Sequence, residues 1–208
     1  MYPAPSLEEM RRTLEQHRTD IIGVLFAPPF TKVGRENIAP RLGYLDGRTG
    51  QHIHFFCAGY GGYGFADDLV SVGEMRYDNG VVIPWGFSQR KFVAFVNELE
   101  GSTSWHYSGE SDLILARPDL MFDDCIVYDI EAMMRDGAID SPSRLFEAII
   151  KYAREKKEAA SVARLSDKEG LGLVGDAAVE GILSLAPKPF RDLWKRGIHY
   201  RTQNLAKT

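Results

Sequence analysis

The chain has only two cysteines among its 208 residues, Cys57 and Cys125, far apart and both in apolar runs. Two thiols so placed form neither a disulfide framework nor a metal-ligand spacing. We therefore expect buried, reduced thiols. Cys57 precedes Ala58-Gly59 at the end of a predicted strand. It is only a weak candidate for a nucleophile, because no activating base can be identified.

The sequence also lacks any run near the ~20 apolar residues that span a bilayer. Its first residues, MYPAPSLEEMRR, lack the cationic and then apolar order of a secretory signal. We expect a cytoplasmic protein with no membrane partner. Three catalytic patterns are missing as well: the G-x-S-x-G elbow, the G-x-x-x-x-G-K-[ST] phosphate loop and H-E-x-x-H.

Charge is unevenly distributed along the chain. Residues 1–140 carry 12 Lys and Arg against 21 Asp and Glu, whereas residues 141–208 carry 13 against 8. We divide the chain accordingly into an α/β domain, 1–140, and a basic helical extension, 141–208. Opposite charges favour docking of the extension on its own body, on an acidic partner or on a second copy in a homo-oligomer. Without a recognised motif, we expect no nucleic-acid partner.

Apolar periodicity predicts a small mixed sheet flanked by helices. The expected elements are a helix capped by Ser6 and Glu9, a central strand at 21–27, a kinked or short helix at 33–45, a strand at 53–58 parallel to the first, a hairpin turning at Asp78-Asn79-Gly80, a helix capped by Ser88, a hairpin of 104–107 with 112–116, a strand at 125–130 and a helix from Pro142. The fold class is therefore α/β.

The run from Gly59 to Gly64 fits G-x-G-x-x-G. A dinucleotide site also needs a helix from the third glycine and an acidic residue ~20 positions further on. Here Pro84 stands at that position, and a hairpin signal occupies the segment where the helix belongs. We conclude that this loop is not a dinucleotide site, and we predict no cofactor.

A glycine-rich turn after a parallel strand is nevertheless where open α/β sheets bind ligands. Glycines let a partner approach the backbone, and aromatic rings provide stacking area. The alternative is that the tyrosines fold back over the sheet. The predicted ligand-binding residues are Tyr60, Gly61, Gly62, Tyr63, Asp67 and Trp85.

His52 and His54 lie two apart, and therefore on one face of a predicted strand. With Asp67, Asp68 or His106 they offer the residue types of a metal or acid/base site. Histidines on the polar side of an edge strand are the simpler interpretation, and we predict no metal.

Carboxylates also gather near the predicted strand at 125–130, in Asp123-Asp124 and in Asp129-Ile130-Glu131. Acid/base pairs often lie at strand ends. Acidic residues are equally suited to the first turn of a helix, where they oppose the helix dipole. The helix-terminus interpretation is the simpler one.

Three short motifs resemble the opening βαβ unit of the thioredoxin-like superfamily. They are Phe26-Ala27 with the break at Pro28-Pro29-Phe30-Thr31-Lys32, then Ile38-Ala39-Pro40-x-Leu42, then the strand at 53–58. In that family a strand ends in F-x-A, the redox C-x-x-C opens the next helix, and I-A-P-x-L lies within it. The resemblance implies that a helix, an antiparallel hairpin and a C-terminal helix follow.

This chain departs from that family at the residues that carry its redox chemistry. Both cysteines of C-x-x-C are absent from 28–32, and no proline precedes Asp112, where the family has its cis-proline. Disulfide exchange needs a thiolate that attacks a neighbouring sulfur. The resemblance therefore implies the fold without the redox activity.

Our leading hypothesis is a non-redox binding or regulatory module that recognises a small molecule or a protein at the strand ends near the Gly/Tyr loop. The alternative is a hydrolase or transferase acting on a small phosphorylated or nucleoside-like compound. In it, His54 or His106 is the base and Asp67 or Asp68 the acid or metal ligand. A third hypothesis is an effector or toxin domain that acts through 141–208.

Overall fold

The computed structural model describes residues 1–19, 21–50, 52–62, 67–76, 80–123, 125–155 and 200–206. Most of the predicted extension, at 156–199, therefore lies outside the described residues. Within the described part of the chain, no helix has the length and apolar character needed to cross a bilayer.

The described elements form two sheets with helices packed around them. In chain order they are β1 (Tyr2–Ala4), α1 (Leu7–Gln16), β2 (Ile21–Phe26), a π-helical turn (Gly34–Ile38), a 3-10 turn (Ala39–Arg41), α2 (Leu42–Thr49), β3 (Ile53–Ala58), β4 (Tyr60–Gly61), β5 (Leu69–Arg76), β6 (Val82–Ser88), α3 (Gln89–Ser102), β7 (Asp112–Ala116), β8 (Cys125–Asp129), α4 (Ile130–Arg135), α5 (Pro142–Glu155) and β9 (Tyr200–Gln203). The predicted α/β class is confirmed.

The main sheet has six strands in the order β1-β3-β2-β7-β8-β9. Strands β1, β3 and β2 are parallel, while β7, β8 and β9 continue the sheet in antiparallel pairs. The predicted parallel pairing of 53–58 with the first strand is confirmed, with Ile22 opposite His54. Strands β2 and β3 are almost fully buried, as their continuous apolar sequence requires.

The helix between β2 and β3 is kinked, as predicted. It begins with a π-helical turn, passes through the 3-10 turn that contains Pro40, and continues as α2. Proline has no N–H to donate and crowds the preceding turn, which interrupts the regular hydrogen-bond ladder. Gly34 opens the π-helical turn because a Cβ there would collide with the carbonyl of Pro28.

A second, three-stranded sheet with the order β4-β6-β5 is inserted between β3 and α3. Its β5–β6 hairpin pairs Arg76 with Val82, which confirms the predicted hairpin, although turn residues 77–79 lie outside the described residues. The ladder shifts register between Ser71 and Gly73, and Gly73 has φ +143°. This β-bulge needs glycine, because other residues rarely adopt such a φ.

The predicted hairpin of 104–107 with 112–116 is wrong. Strand β7 pairs with β2 and β8, and residues 104–107 form no strand. Their backbone groups bind elsewhere, since Ser104 N donates to the Leu205 carbonyl and Tyr107 N donates to Glu100 Oε1 at 2.9 Å. Alternation of residue types predicts a hairpin poorly here, because the backbone N–H groups of 104–107 find hydrogen-bond acceptors elsewhere in the fold.

Both described ends of 141–208 pack on the main sheet. Helix α5 buries Leu145, Phe146 and Ile149, with the Phe146 ring 5.3 Å from that of Phe55. Strand β9 pairs with β8, and Leu205 is fully buried behind it. The basic extension thus docks on its own body at these two places. A domain boundary at 141 and self-association through 141–208 remain predictions.

Candidate functional site

After β2 the chain forms a tight turn, at the edge of the main sheet where β2 ends. The carbonyl of Pro28 accepts from both the N–H and the hydroxyl of Thr31 at 3.0 Å, and Thr31 Oγ1 in turn accepts from Gly34 N. Thr31 therefore caps the kinked helix and fixes the turn. This turn carries Phe30 to the surface, where 55% of it is exposed.

Phe30 rests on a buried aromatic base. Its ring lies edge-on to Phe87 and Phe92, each with centroids 6.1 Å away. Gly59 approaches the same two rings, since a Cβ at that position would lie 2.6 Å from Phe87 and 2.7 Å from Phe92. The turn at 28–32 and the start of the Gly/Tyr loop therefore share one support.

Of the two tyrosines predicted to bind a ligand, the one within the described residues, Tyr60, is not exposed. Tyr60 is buried, and its hydroxyl donates to the Ala27 carbonyl at 2.6 Å. Burial raises the pKa of this phenol. Trp85 and Gly61 are also buried, Gly62 is exposed, and Tyr63 lies outside the described residues. Tyr60 and Trp85 therefore present no open ring at this edge, because the inserted sheet folds them against the core.

Asp68 stabilises the start of α3. Its carboxylate accepts from the Ser88 hydroxyl at 2.9 Å and from Arg90 N at 2.8 Å, both at the start of α3. The Arg90 N–H, followed by the Ser88 hydroxyl, lowers the pKa of Asp68. Its neighbour Asp67 is exposed. A carboxylate at the N-terminus of a helix stabilises it through the dipole and the unpaired N–H groups.

The predicted acid/base set is not assembled. His54 is 5% exposed in the interior strand β3, with its ring 4.9 Å from that of Tyr2, so the edge-strand interpretation is wrong. The side chain of His106 is 81% exposed, with Nδ1 3.9 Å from Glu100 Oε1. Among the described residues, no hydrogen bond joins either histidine to Asp68. His52 precedes β3 and is half-buried.

Carboxylates do gather at the strand ends, beside the Thr31 turn. Oxygens of Glu110, Asp129 and Glu131 lie within 4.8 Å of one another, a donor set that suits a divalent cation. All three are already engaged. Glu110 Oε2 lies 3.8 Å from Arg135 Nη1, and Glu131 accepts from Ser111 N at 2.7 Å and from its hydroxyl at 3.0 Å. Asp129 caps α4 through Ala132 N, which confirms the helix-terminus interpretation for that residue.

Asp112, which the sequence did not mark as a site residue, is the most buried acid here, at 2% exposure. It accepts from Ser108 N at 3.0 Å. Burial raises the pKa of Asp112 to about 6, against the opposing hydrogen bond from Ser108. The signal available was a charged residue opening an otherwise apolar strand, DLILA.

These positions show which groups remain accessible at this edge of the main sheet. Its carboxylates are engaged by backbone, hydroxyl and guanidinium groups, and Tyr60 is turned inward. Among the described residues of this edge, the ring of Phe30 remains open, on a fixed turn. Such an arrangement suits contact with another molecule better than proton transfer.

Comparisons of the chain with protein-family models, with curated proteins and with solved structures found no match.

Proposed function

We propose that this chain is a non-redox binding module with a thioredoxin-like main sheet, and that it recognises a protein partner at the strand ends through Phe30. The order of elements supports the family assignment. A βαβ unit with a kinked helix is followed by α3, by the β7–β8 hairpin and by α5. The inserted sheet interrupts this order between β3 and α3.

The observation that carries the proposal is the exposure of Phe30 on a rigid support. Aromatic residues are frequent binding hot spots when their surroundings hold them in one orientation. Thr31 fixes the turn, and Phe87 with Phe92 fixes the ring. A partner that covers Phe30 therefore pays little entropy to order it.

The non-redox part of the proposal rests on the cysteines. The turn at 28–32, where the family places its C-x-x-C, contains none. Cys57 and Cys125 are both buried, and no disulfide joins them. Ser111 stands directly before β7, with its hydroxyl 3.4 Å from that of Thr31. Hydroxyl groups, and no thiols, stand at this position. The residues can therefore contact a partner but cannot exchange disulfides.

The test compares Phe30→Ala with a matched control, Met121→Ala. Met121 is 61% exposed on the turn between β7 and β8, so both variants remove an exposed apolar side chain. We expect a protein retained from a cell extract by wild type and by Met121→Ala to be lost with Phe30→Ala, as measured by quantitative mass spectrometry. A photo-crosslinking residue at position 30, but not at 121, should capture the same protein.

Equal retention by all three proteins would contradict the proposal. Unfolding is not expected to confuse the result, because truncation of an exposed side chain usually changes stability little. Thermal melting of each variant checks this. The effector hypothesis depends on 141–208, most of which lies outside the described residues, and it stays a prediction.

A further inference from the structure

A row of polar atoms connects α4 to the tight turn that follows β2. Glu131, the second residue of α4, accepts from the Ser111 hydroxyl at 3.0 Å with one oxygen and from Ser111 N at 2.7 Å with the other. The Ser111 hydroxyl lies 3.4 Å from that of Thr31. Thr31 donates its own hydroxyl to the Pro28 carbonyl at 3.0 Å. The row therefore ends inside the turn.

The row has one proton too few while Glu131 is ionised. Each hydroxyl has a single proton to donate, and an ionised carboxylate accepts but cannot donate. The Ser111 proton is used on Glu131, and the Thr31 proton is used on the Pro28 carbonyl. The contact between the two hydroxyl oxygens is therefore left without a proton, which agrees with its length of 3.4 Å.

A proton on Glu131 supplies the missing donor. The protonated acid can donate to the Ser111 hydroxyl, which frees the Ser111 proton for Thr31 Oγ1. Thr31 keeps its hydrogen bond to the Pro28 carbonyl, and the second oxygen of Glu131 still accepts from Ser111 N. Every contact in the row then carries a proton. Hydrogen bonds in such a chain polarise one another, so the bond inside the turn also becomes stronger.

The surroundings of Glu131 favour its neutral form. Its side chain is half-buried at the crowded end of β7 and β8. The titratable and charged groups around it are Tyr107, Glu110, Asp112, Asp129 and Arg135, whose guanidinium lies 3.8 Å from Glu110. Burial, with a smaller contribution from repulsion by Glu110 and Asp129, raises the pKa of Glu131 against the hydrogen bonds from Ser111.

We propose that this row is a proton-driven switch: protonation of Glu131 stabilises the turn at 28–32 and the orientation of Phe30. The consequence for recognition rests on the proposed function, since a partner that covers Phe30 should then bind more tightly at lower pH. The switch itself involves this chain alone and is tested without a partner. Failure of the switch therefore leaves the partner proposal intact, and loss of the partner proposal leaves the switch intact.

The test follows amide hydrogen exchange of Gly34 N–H, which donates to Thr31 Oγ1, by NMR between ~pH 4 and ~pH 7. Protection is corrected for the intrinsic exchange rate and compared with Met10 N–H on α1. In wild type we expect the relative protection of Gly34 to rise about 5-fold as the pH falls, the effect of one added hydrogen bond. The inflection should lie above 4.5, the ordinary pKa of a glutamate.

Glu131→Gln should show the high protection at every pH. The amide oxygen must face Ser111 N, which only donates, so the amide N–H points to the Ser111 hydroxyl as the protonated acid would. Ser111→Ala removes the middle hydroxyl and should abolish the inflection. Glu110→Gln is the matched control, because it removes a neighbouring charge that contacts Arg135 and leaves the row intact, so the inflection should remain.

Two results would overturn the switch directly: a flat profile for Gly34 in wild type, and an inflection that survives Ser111→Ala. A third outcome concerns what binds to the carboxylates. The wild-type profile is repeated with a metal chelator, and the inflection should be unchanged. An inflection that disappears with the chelator would overturn the assignment to a proton, because the bound species would then be a cation.

Discussion

Asp112 on β7 and His54 on β3 are both titratable side chains buried in the main sheet, but they differ in their hydrogen bonding. Asp112 accepts a hydrogen bond from Ser108 N at 3.0 Å. For His54, Nε2 has no hydrogen-bond partner among the described residues. Burial disfavours the charged form of each, which is the anion for the acid and the cation for the base.

The two groups therefore act on stability in opposite pH directions. The raised pKa of Asp112, about 6, means that its contribution is lost as the pH rises from its ordinary value of 3.8 through 6. Desolvation lowers the pKa of His54, so stability is lost as the pH falls below 6.5, its ordinary value. Rising pH therefore weakens the contribution of Asp112, whereas falling pH weakens that of His54.

The strongest effect is predicted for a third buried titratable group, the thiol of Cys57. Burial raises the pKa of its thiol from 9.0 to about 12, which lowers the thiolate fraction at pH 8 about a thousandfold. We predict that Cys57 does not react with an aromatic disulfide reagent in the folded protein. Denaturant should release full reactivity, and an exposed thiol introduced by Met121→Cys should react in the folded state. Rapid native labelling of Cys57 would contradict the burial argument.

Asp112→Asn should give the next largest effect. The amide oxygen keeps an acceptor for Ser108 N but carries no charge, so the variant should gain up to about 3 kcal/mol of unfolding free energy at pH 8. The gain should vanish near pH 4, where the wild-type carboxyl is protonated. Denaturant titrations at both pH values measure it. Asp119→Asn, an exposed acid, is the control and should change little at either pH.

Local signals explain which parts of the fold could be predicted. Ser6 and Ser88 cap their helices through Glu9 N and Lys91 N, both at 3.2 Å, and such caps need only neighbouring residues. The Asn79-Gly80 turn likewise encodes a hairpin locally. Strands β1 and β9 were missed because segments of three and four residues have no periodicity, and their pairing partners are distant in sequence.

The location of a ligand surface stays a prediction, but the structure shows which of its proposed residues are buried. A ligand surface at the strand ends was inferred from Gly59 to Gly64, but Tyr60 turns inward because the Ala27 carbonyl lies within its reach. No sequence pattern reveals that acceptor, which lies just after a different strand, β2. Phe30 was recognised only as a departure from a redox motif. Its exposure depends on how Phe87 and Phe92 fill the space below it.

His54→Phe tests the basic half of the comparison. The amino group of Met1 and His17, the residue that follows α1, add to desolvation in lowering the pKa of His54. A phenyl ring fits among Tyr2 and Phe56 and cannot titrate. We predict that wild type loses stability between pH 7 and pH 5, and that the variant loses less. His106→Phe, at an exposed position, should keep the wild-type slope; equal slopes in all three proteins would contradict the prediction.

The smallest effect is expected where the titratable groups are exposed. Glu147 on α5 accepts from Arg48 Nη2 at 2.9 Å and from the Tyr44 hydroxyl at 2.9 Å, both on α2. The Arg48 hydrogen bond, above all, lowers the pKa of Glu147, so its contribution is present above the ordinary value of 4.5 and is lost at lower pH. Because water and salt screen such pairs, Glu147→Gln should change the unfolding free energy less, in either direction, than Asp112→Asn or His54→Phe. Melting curves at low salt and at ~1 M salt, where the screening length falls to ~3 Å, measure this difference. The melting temperatures of the variant and the wild type should become equal at high salt. A difference that persists there would mean that this contact is shielded from solvent, and it would contradict the prediction.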